Sequence, residues 1–143
     1  MAAVGNPPPV MRAFALQQTR TLLRRLAFQM SRAARPGDPE AIHDLRVAIR
    51  RFSRCLRVFS QFLPGRKRRK VRRDLTRVMD LAAAVRDRDI ALDLLRQART
   101  PAIAALSATL RRERRDAETR LRAAAGSLAR QSFSQKWRIW LRL

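Results

Sequence analysis

Every glycine and proline in the chain falls at one of five places: Gly5 with Pro7 to Pro9, Pro36 with Gly37 and Pro39, Pro64 with Gly65, Pro101, and Gly126. The segments between these breakers are long, rich in Ala, Leu and Arg, and free of sustained period-two alternation, which leaves helix as the regular structure open to them. The expectation is an all-α domain, an antiparallel helical bundle. The chain's 143 residues suit one domain of this kind, placed at residues 9–143 behind a disordered extension over 1–8.

The breakers and caps set the expected helices. The first runs from Pro9 to about Arg35, with Met11, Phe14, Leu22, Leu26, Met30 and Ala33 as an imperfect apolar seam. Asp38 serves as cap for the next helix and Pro39 as its first residue, and Leu63-Pro64-Gly65 stops it. A third helix opens in the basic run at 66–70 and buries Val71, Leu75, Val78, Ala82 and Val85. At 85–90 the pattern breaks: Asp87 is read as the cap of a short helix through Leu95, with Arg86 paired to an acid, in preference to a catalytic carboxylate pair. Thr100 and Pro101 start a further helix with Ile103, Leu106, Leu110, Ala117, Leu121 and Leu128 inward. Its Arg111, Arg112, Arg114 and Arg115 alternate with Glu113, Asp116 and Glu118, as on an exposed face paired within itself. Trp137, Trp140 and Leu141 share one side of a short basic C-terminal helix, read as a packing or oligomer seam rather than a membrane contact.

The stretch from Glu40 to Phe62 combines two rows. At about 100° per residue, Ile42, Leu45, Ile49, Phe52, Leu56 and Phe59 make one buried seam. His43, Arg46, Arg50, Arg54 and Arg57 repeat the same spacing one register over, as a line of positive charge. Similar basic steps occur at Arg20 and Arg24 in the first helix and at Arg66, Lys70, Arg73 and Arg77 in the third. A run such as 66–70 is commonly a solvated helix start; its continuation to Arg77 brings the binding reading level with that one.

The formal charge is +22, from 33 basic and 11 acidic residues, and 30 of the basic residues are arginine. Such a charge repels itself in a compact fold and attracts a polyanion. Arginine's planar fork of donors matches phosphate oxygens; codon bias in a GC-rich genome explains the Arg:Lys ratio equally well, but not the net charge.

Enzymatic constellations are sparse. A lone His43 cannot form a multi-histidine metal centre, no glycine-rich phosphate loop is present, and no metal or cofactor is expected. Cys55 lies twelve residues from His43, about 18 Å along one helix, so the two cannot work as a pair. His43 keeps three readings, as a neutral packed histidine, a phosphate donor, or a general base with no partner in view; its place at the head of the basic row favours the second. A single cysteine excludes an internal disulfide framework, and a reduced, cytoplasmic setting is expected. No apolar run nears the roughly 20 residues of a membrane span. The acid-free, arginine-bearing segment from Met1 to Gly37 also has the composition of an organellar transit peptide, a reading set behind that of a first bundle helix.

His43-Asp44-Leu45-Arg46-Val47-Ala48-Ile49-Arg50-Arg51-Phe52, then Leu56-Arg57-Val58-Phe59 and, after a basic helix, Arg86-Asp87-Arg88-Asp89-Ile90, resembles the CHAD family of histidine-bearing α-helical domains that bind inorganic polyphosphate. The likeness is clear from about Leu22 to Leu95. It implies helices in two pseudo-symmetric bundles around a basic pore, with His43, Arg46, Arg50 and Arg51 in the first motif and Arg86 and Asp87 in the second. Ser53 stands where a further basic residue is usual, and Ala83 where the turn usually has glycine. One motif of each kind is present, which implies half of the two-bundle domain: a half-domain, a fragment, or a protomer that completes the pore as a homodimer.

The resulting expectation is a noncatalytic protein that binds inorganic polyphosphate through His43, Arg46, Arg50, Arg51, Arg54, Arg57, Arg20, Arg24, Arg66, Lys70, Arg73 and Arg77, in the cytoplasm and in association with polyphosphate granules. The alternative is a nonspecific nucleic-acid-binding basic protein, because phosphate-directed arginine alone does not distinguish the two polyanions. Few aromatics lie outside the seams, which favours polyphosphate over single-stranded nucleic acid bound on stacking platforms.

Overall fold

The computed structural model describes residues 7–98 and 102–143. The expected disorder over 1–8 lies mostly outside these residues, as does the expected cap at Thr100 and Pro101. The elements are α1 (Pro9–Ala33), α2 (Ala41–Val58), a 3-10 turn at Ser60–Phe62, α3 (Gly65–Gln97), α4 (Ile103–Arg130) and α5 (Phe133–Leu141), with no strand among the described residues. α1 packs on α2 and α4, and α3 packs on α4 and α2, which makes a four-sided bundle. Short connections between successive helices make the neighbours antiparallel. α5 packs against α1, α3 and α4.

The chain beyond Gln97 therefore completes the same bundle. α4 brings Ala117, Leu121 and Ala125 into the core formed by α1 to α3. α5 turns back after Ser132, whose left-handed backbone (φ 50°) breaks the helix, and inserts Phe133, Trp137 and Leu141. Trp137 lies parallel to Phe52 of α2, with ring centres 6.3 Å apart, and edge-on to Phe133 at 4.8 Å. Both geometries suit aromatic quadrupoles. The reading of this end as a packing seam holds for Trp137 and Leu141.

The seam of α3 is as expected, with Val71, Leu75, Val78, Ala82 and Val85 all buried, and that of α2 holds at its centre, where Leu45, Ile49, Phe52 and Leu56 are buried, while Ile42 and Phe59 at its ends are only half-buried. In α1 the buried line is instead Ala15, Thr19, Leu23, Leu26, Met30 and Ala33, with Met11 and Phe14 outside it. Small residues fill the narrow upper part of this face. Thr19 is satisfied there by donating to the Ala15 carbonyl at 2.7 Å and meets Cys55 Sγ at 3.3 Å. Burial pushes the Cys55 thiol up, partly offset by that contact, so it behaves as a packing group.

Four local expectations are corrected. α3 continues through 85–90 without a break, so Asp87 caps nothing and sits in mid-helix. The i to i+4 backbone ladder outweighs the local capping chemistry of one aspartate, and Ala83 allows the helix to continue where glycine would weaken it. Arg86 forms no ion pair among the described residues; Arg88 and Asp89 are the paired members of that motif. α2 begins at Ala41 rather than Pro39, and Asp38 acts two residues earlier by accepting from the Glu40 N–H at 3.0 Å. Gly126, expected as a breaker, also lies inside α4, near Ala34.

Acids are concentrated at two joints. Arg32 near the end of α1 binds both Asp38 and Asp44, locking the turn that Gly37 makes at φ 97°. The hydrogen bond to Arg32 is the main reason the Asp38 carboxyl is held below its usual range. Along the α3–α4 pair, Arg114 bridges Asp89 and Glu118, Arg122 also binds Glu118, and Arg88 faces Glu113. Of the pairing expected within α4 only Arg114–Glu118 forms among the described residues: Arg111, Arg112, Arg115 and Asp116 take no part in an ion pair, and Glu113 meets Arg88 of α3 instead. Leu106, expected inward, is exposed together with Ile90 and Leu94, because this part of the α3–α4 hairpin extends past the start of α2.

Candidate functional site

α2 and α3 carry the densest positive charge. From Leu45 to Met79 thirteen basic residues stand against a single acid, Asp74. Because the same face of α2 that buries Ile49, Phe52 and Leu56 fixes its rotation, the row of His43, Arg46, Arg50, Arg54 and Arg57 is set on the side towards α3. Arg50, Arg54 and Arg57 line a groove of about 410 Å³ between the two helices, with Ser53 on their own helix and Arg72, Thr76, Met79 and Asp80 opposite. None of these arginines has an acid within ion-pair distance among the described residues.

The upper end of the row opens on a smaller cavity of about 200 Å³ at the start of α2, where Pro39, Glu40, Ile42, His43 and Arg46 meet Arg86, Asp89 and Arg114. Arg46 Nε is buried there without a hydrogen-bond partner. A buried guanidinium donor left unmade is costly, and the unpaired N–H groups of a helix start favour an anion at this place. Arg114, raised further by its bond to Asp89 at 2.5 Å, is already engaged. His43 is exposed at the mouth, with the Asp89 carboxylate on the same cavity wall.

Other residues of the expected set lie elsewhere. Arg51 is turned to the α1 side and shares a cleft of about 360 Å³ with Arg24 and Arg25. Arg20 is half-buried on α1 one turn before Arg24. On α3, Arg66 and Arg73 line an outward cleft of about 580 Å³ together with Arg69, Arg72 and Thr76. Arg77 faces α4 in a cavity with Asp74, Ala124 and Ser127, and Lys70 lies against Trp140 of α5. The structure therefore brings Arg50, Arg54 and Arg57 together in the main groove and His43 with Arg46 in the end cavity. The row Arg66, Lys70, Arg73 and Arg77 faces solvent and the α4–α5 side.

Arg72 and Arg69 fall outside the rows that spacing alone picks out. The core direction of α3 set by Val71, Leu75 and Val78 puts Arg72 on a flank of the helix, about 90° from the buried direction, and the packing of α2 on that flank brings it into the groove. Arg86 and Arg114 join the end cavity only through the continuation of α3 and the return of α4, which no local pattern announces.

Among the described residues no cluster of His, Cys, Asp or Glu could hold a metal ion, and no helix is long and apolar enough to cross a membrane. The groove and end cavity can bind anionic oxygens through multiple guanidinium forks. The CHAD domain family model matches residues 13–143, extending to the end of the chain beyond the part whose likeness is plain by eye. No curated protein and no solved structure matches the chain.

Proposed function

The chain belongs to the CHAD domain family, and from that membership together with the arginine groove we propose that it binds inorganic polyphosphate without transforming it. The observation that carries this reading is the convergence of Arg50, Arg54, Arg57 and Arg72 from two helices on one groove, free of ion pairs among the described residues. An extended chain of phosphates takes one guanidinium after another along the α2 row and ends at Arg46 and His43, where the unpartnered Arg46 Nε gains an acceptor. Arg66, Arg69 and Arg73 extend the contact outwards. Arg20, Arg24 and Arg51 supply long-range attraction from the α1 side, with no place in the groove itself.

Affinity in this scheme comes from charge-assisted contacts and released counterions, and falls steeply with salt. The groove is open on its outer side, and we place a second copy of the chain across it as the other wall of a pore. Light scattering checks that step: a strict monomer with full affinity ends it. The test of the main reading is competition at fixed salt. Long-chain polyphosphate is expected to resist displacement by equal phosphate equivalents of duplex DNA or RNA; equal displacement would replace it with nonspecific nucleic-acid binding.

A further inference from the structure

The chain has three lysines, Lys67, Lys70 and Lys136, and all three converge on one indole. Their ammonium nitrogens lie 4.7, 4.7 and 4.8 Å from the ring centre of Trp140. Two come from the first turns of α3 and the third from α5, so the cluster is made by tertiary packing. A ring has two faces, and three cations over it require at least two to share one. Any two ammonium groups are then within twice the ring distance of each other, and none has a carboxylate in ion-pair range among the described residues. The ring's quadrupole attracts each cation weakly and does not offset the repulsion among them. An anion between them does.

The cluster is also connected to the groove. The outward cleft of α3 shares Arg72 and Thr76 with the α2–α3 groove. From Arg72 the cations continue around α3 through Arg69, Arg73, Arg66, Lys70 and Lys67, with no angular gap above about 60°. The belt ends at Trp140. Lysine suits such a terminus, because a compact ammonium with rotatable donors takes a tetrahedral oxyanion from any direction, where arginine requires its planar fork aligned.

We propose that Lys67, Lys70 and Lys136 around Trp140 form a second phosphate-binding site, occupied by the part of a condensed phosphate chain that leaves the α2–α3 groove and crosses the outer face of α3. In the identity of its ligand this rests on the proposed function; the site itself rests on the lysine cluster. A long chain thus binds two faces of α3 at once, and the second contact adds avidity through a short effective tether.

Trp140 reports its own occupancy. The other tryptophan, Trp137, is 1% exposed and stacked on Phe52, so an anion that draws the ammonium groups off the ring changes the emission of Trp140. The full chain is titrated with long-chain polyphosphate at constant ionic strength, with emission and heat followed in parallel. An emission change is expected in the unaltered chain and in R50Q/R54Q/R57Q at saturation, and none in W140F. In K67Q/K70Q/K136Q the change is lost, the affinity falls about tenfold, and the slope of log affinity against log salt drops by about two. Heat of binding with unchanged Trp140 emission, or a change that survives in the lysine variant or in W140F, overturns the second site and leaves the groove reading intact. An emission change lost with the lysines, with affinity untouched in R50Q/R54Q/R57Q, supports the second site and overturns the groove. Neither heat nor emission overturns both. An equal emission change from duplex DNA at the same phosphate concentration overturns condensed phosphate as the occupant.

Discussion

From Leu45 to Met79 the chain sets thirteen basic residues against one acid, whereas from Arg86 to Arg122 it sets ten against six. In the first region the arginines of α2 stand unpaired over a groove; in the second, Arg88, Arg96, Arg114 and Arg122 are joined to carboxylates, Arg88 and Arg114 across the α3–α4 hairpin. Arginine density is high in both. The difference lies in what the guanidinium groups already hold, and it separates residues that secure the fold from residues available to a ligand. A paired arginine must give up its carboxylate before it can take a phosphate, and an unpaired one has only water and counterions to release.

Substitutions test that separation most sharply through affinity. R50Q/R54Q/R57Q is expected to weaken polyphosphate binding by about a hundredfold or more, since charge-assisted hydrogen bonds contribute roughly 1.5–3 kcal/mol each before losses to solvent. R88Q/R96Q/R122Q, with the same change in charge among the paired arginines of the second region, is expected to remain within about threefold, the residue of long-range attraction. Calorimetry at one salt concentration measures both, and equal losses would erase the distinction between the two regions.

The reverse comparison is made through stability and is smaller. Arg114→Ala removes the bridge between Asp89 and Glu118, whose side chains are only partly exposed, and is expected to lower unfolding free energy by about 1 kcal/mol. Arg54→Ala is expected to leave it unchanged or slightly raised, because it relieves repulsion along α2. Urea unfolding followed by circular dichroism decides between them, and destabilisation by Arg54→Ala would show that the groove arginines also secure the fold.

The smallest effect concerns the α1–α2 turn. The folded carboxyl of Asp38 is held below its ordinary value, first by Arg32 and then by the Glu40 N–H. A depressed carboxylate contributes stability that is fully present above its unfolded pKa, about 3.9, and is lost as pH falls through the lower folded value. Stability against acid should therefore decline below about pH 4, and Asp38→Asn should remove that component while leaving polyphosphate affinity at neutral pH intact. Thermal melts of both proteins across this range give the comparison.

Much of the architecture was legible because it depends on local order. The breaks at 36–39 and 64–65 and the central parts of the α2 and α3 seams follow directly from residue spacing, and the buried Phe52 is at its expected place, whereas Gly126 lies inside α4. The α1 seam is less legible: Met11 is exposed and Phe14, edge-on to Phe59, stays largely outside the core, while Ala15 is buried and Thr19 is buried beside Cys55. The third helix was cut short because Asp87 resembles a cap, and capping chemistry cannot show from sequence whether a helix on the far side will support continuation. For the groove, the row on α2 was readable in full, but its counterpart was not. Spacing finds cations that share a face; it does not say which face meets the neighbour, so Lys70 and Arg77 were grouped with residues that point elsewhere, and Arg72 was passed over. The end cavity needs three separate segments to meet, and the lysine cluster at Trp140 needs two, α3 and α5.

The groove between α2 and α3 has a mechanical consequence as well. Its walls are two rods of like charge, held together from behind by Ile49, Phe52, Leu75 and Val78 and pushed apart in front by their arginines. In the free protein this seam is the most sensitive to salt, and added electrolyte should tighten it even as it weakens polyanion binding. A bound polyanion reverses the force on the front edge, acting as a shared counterion that draws the rods together, so amide exchange along α2 should slow most on the groove side.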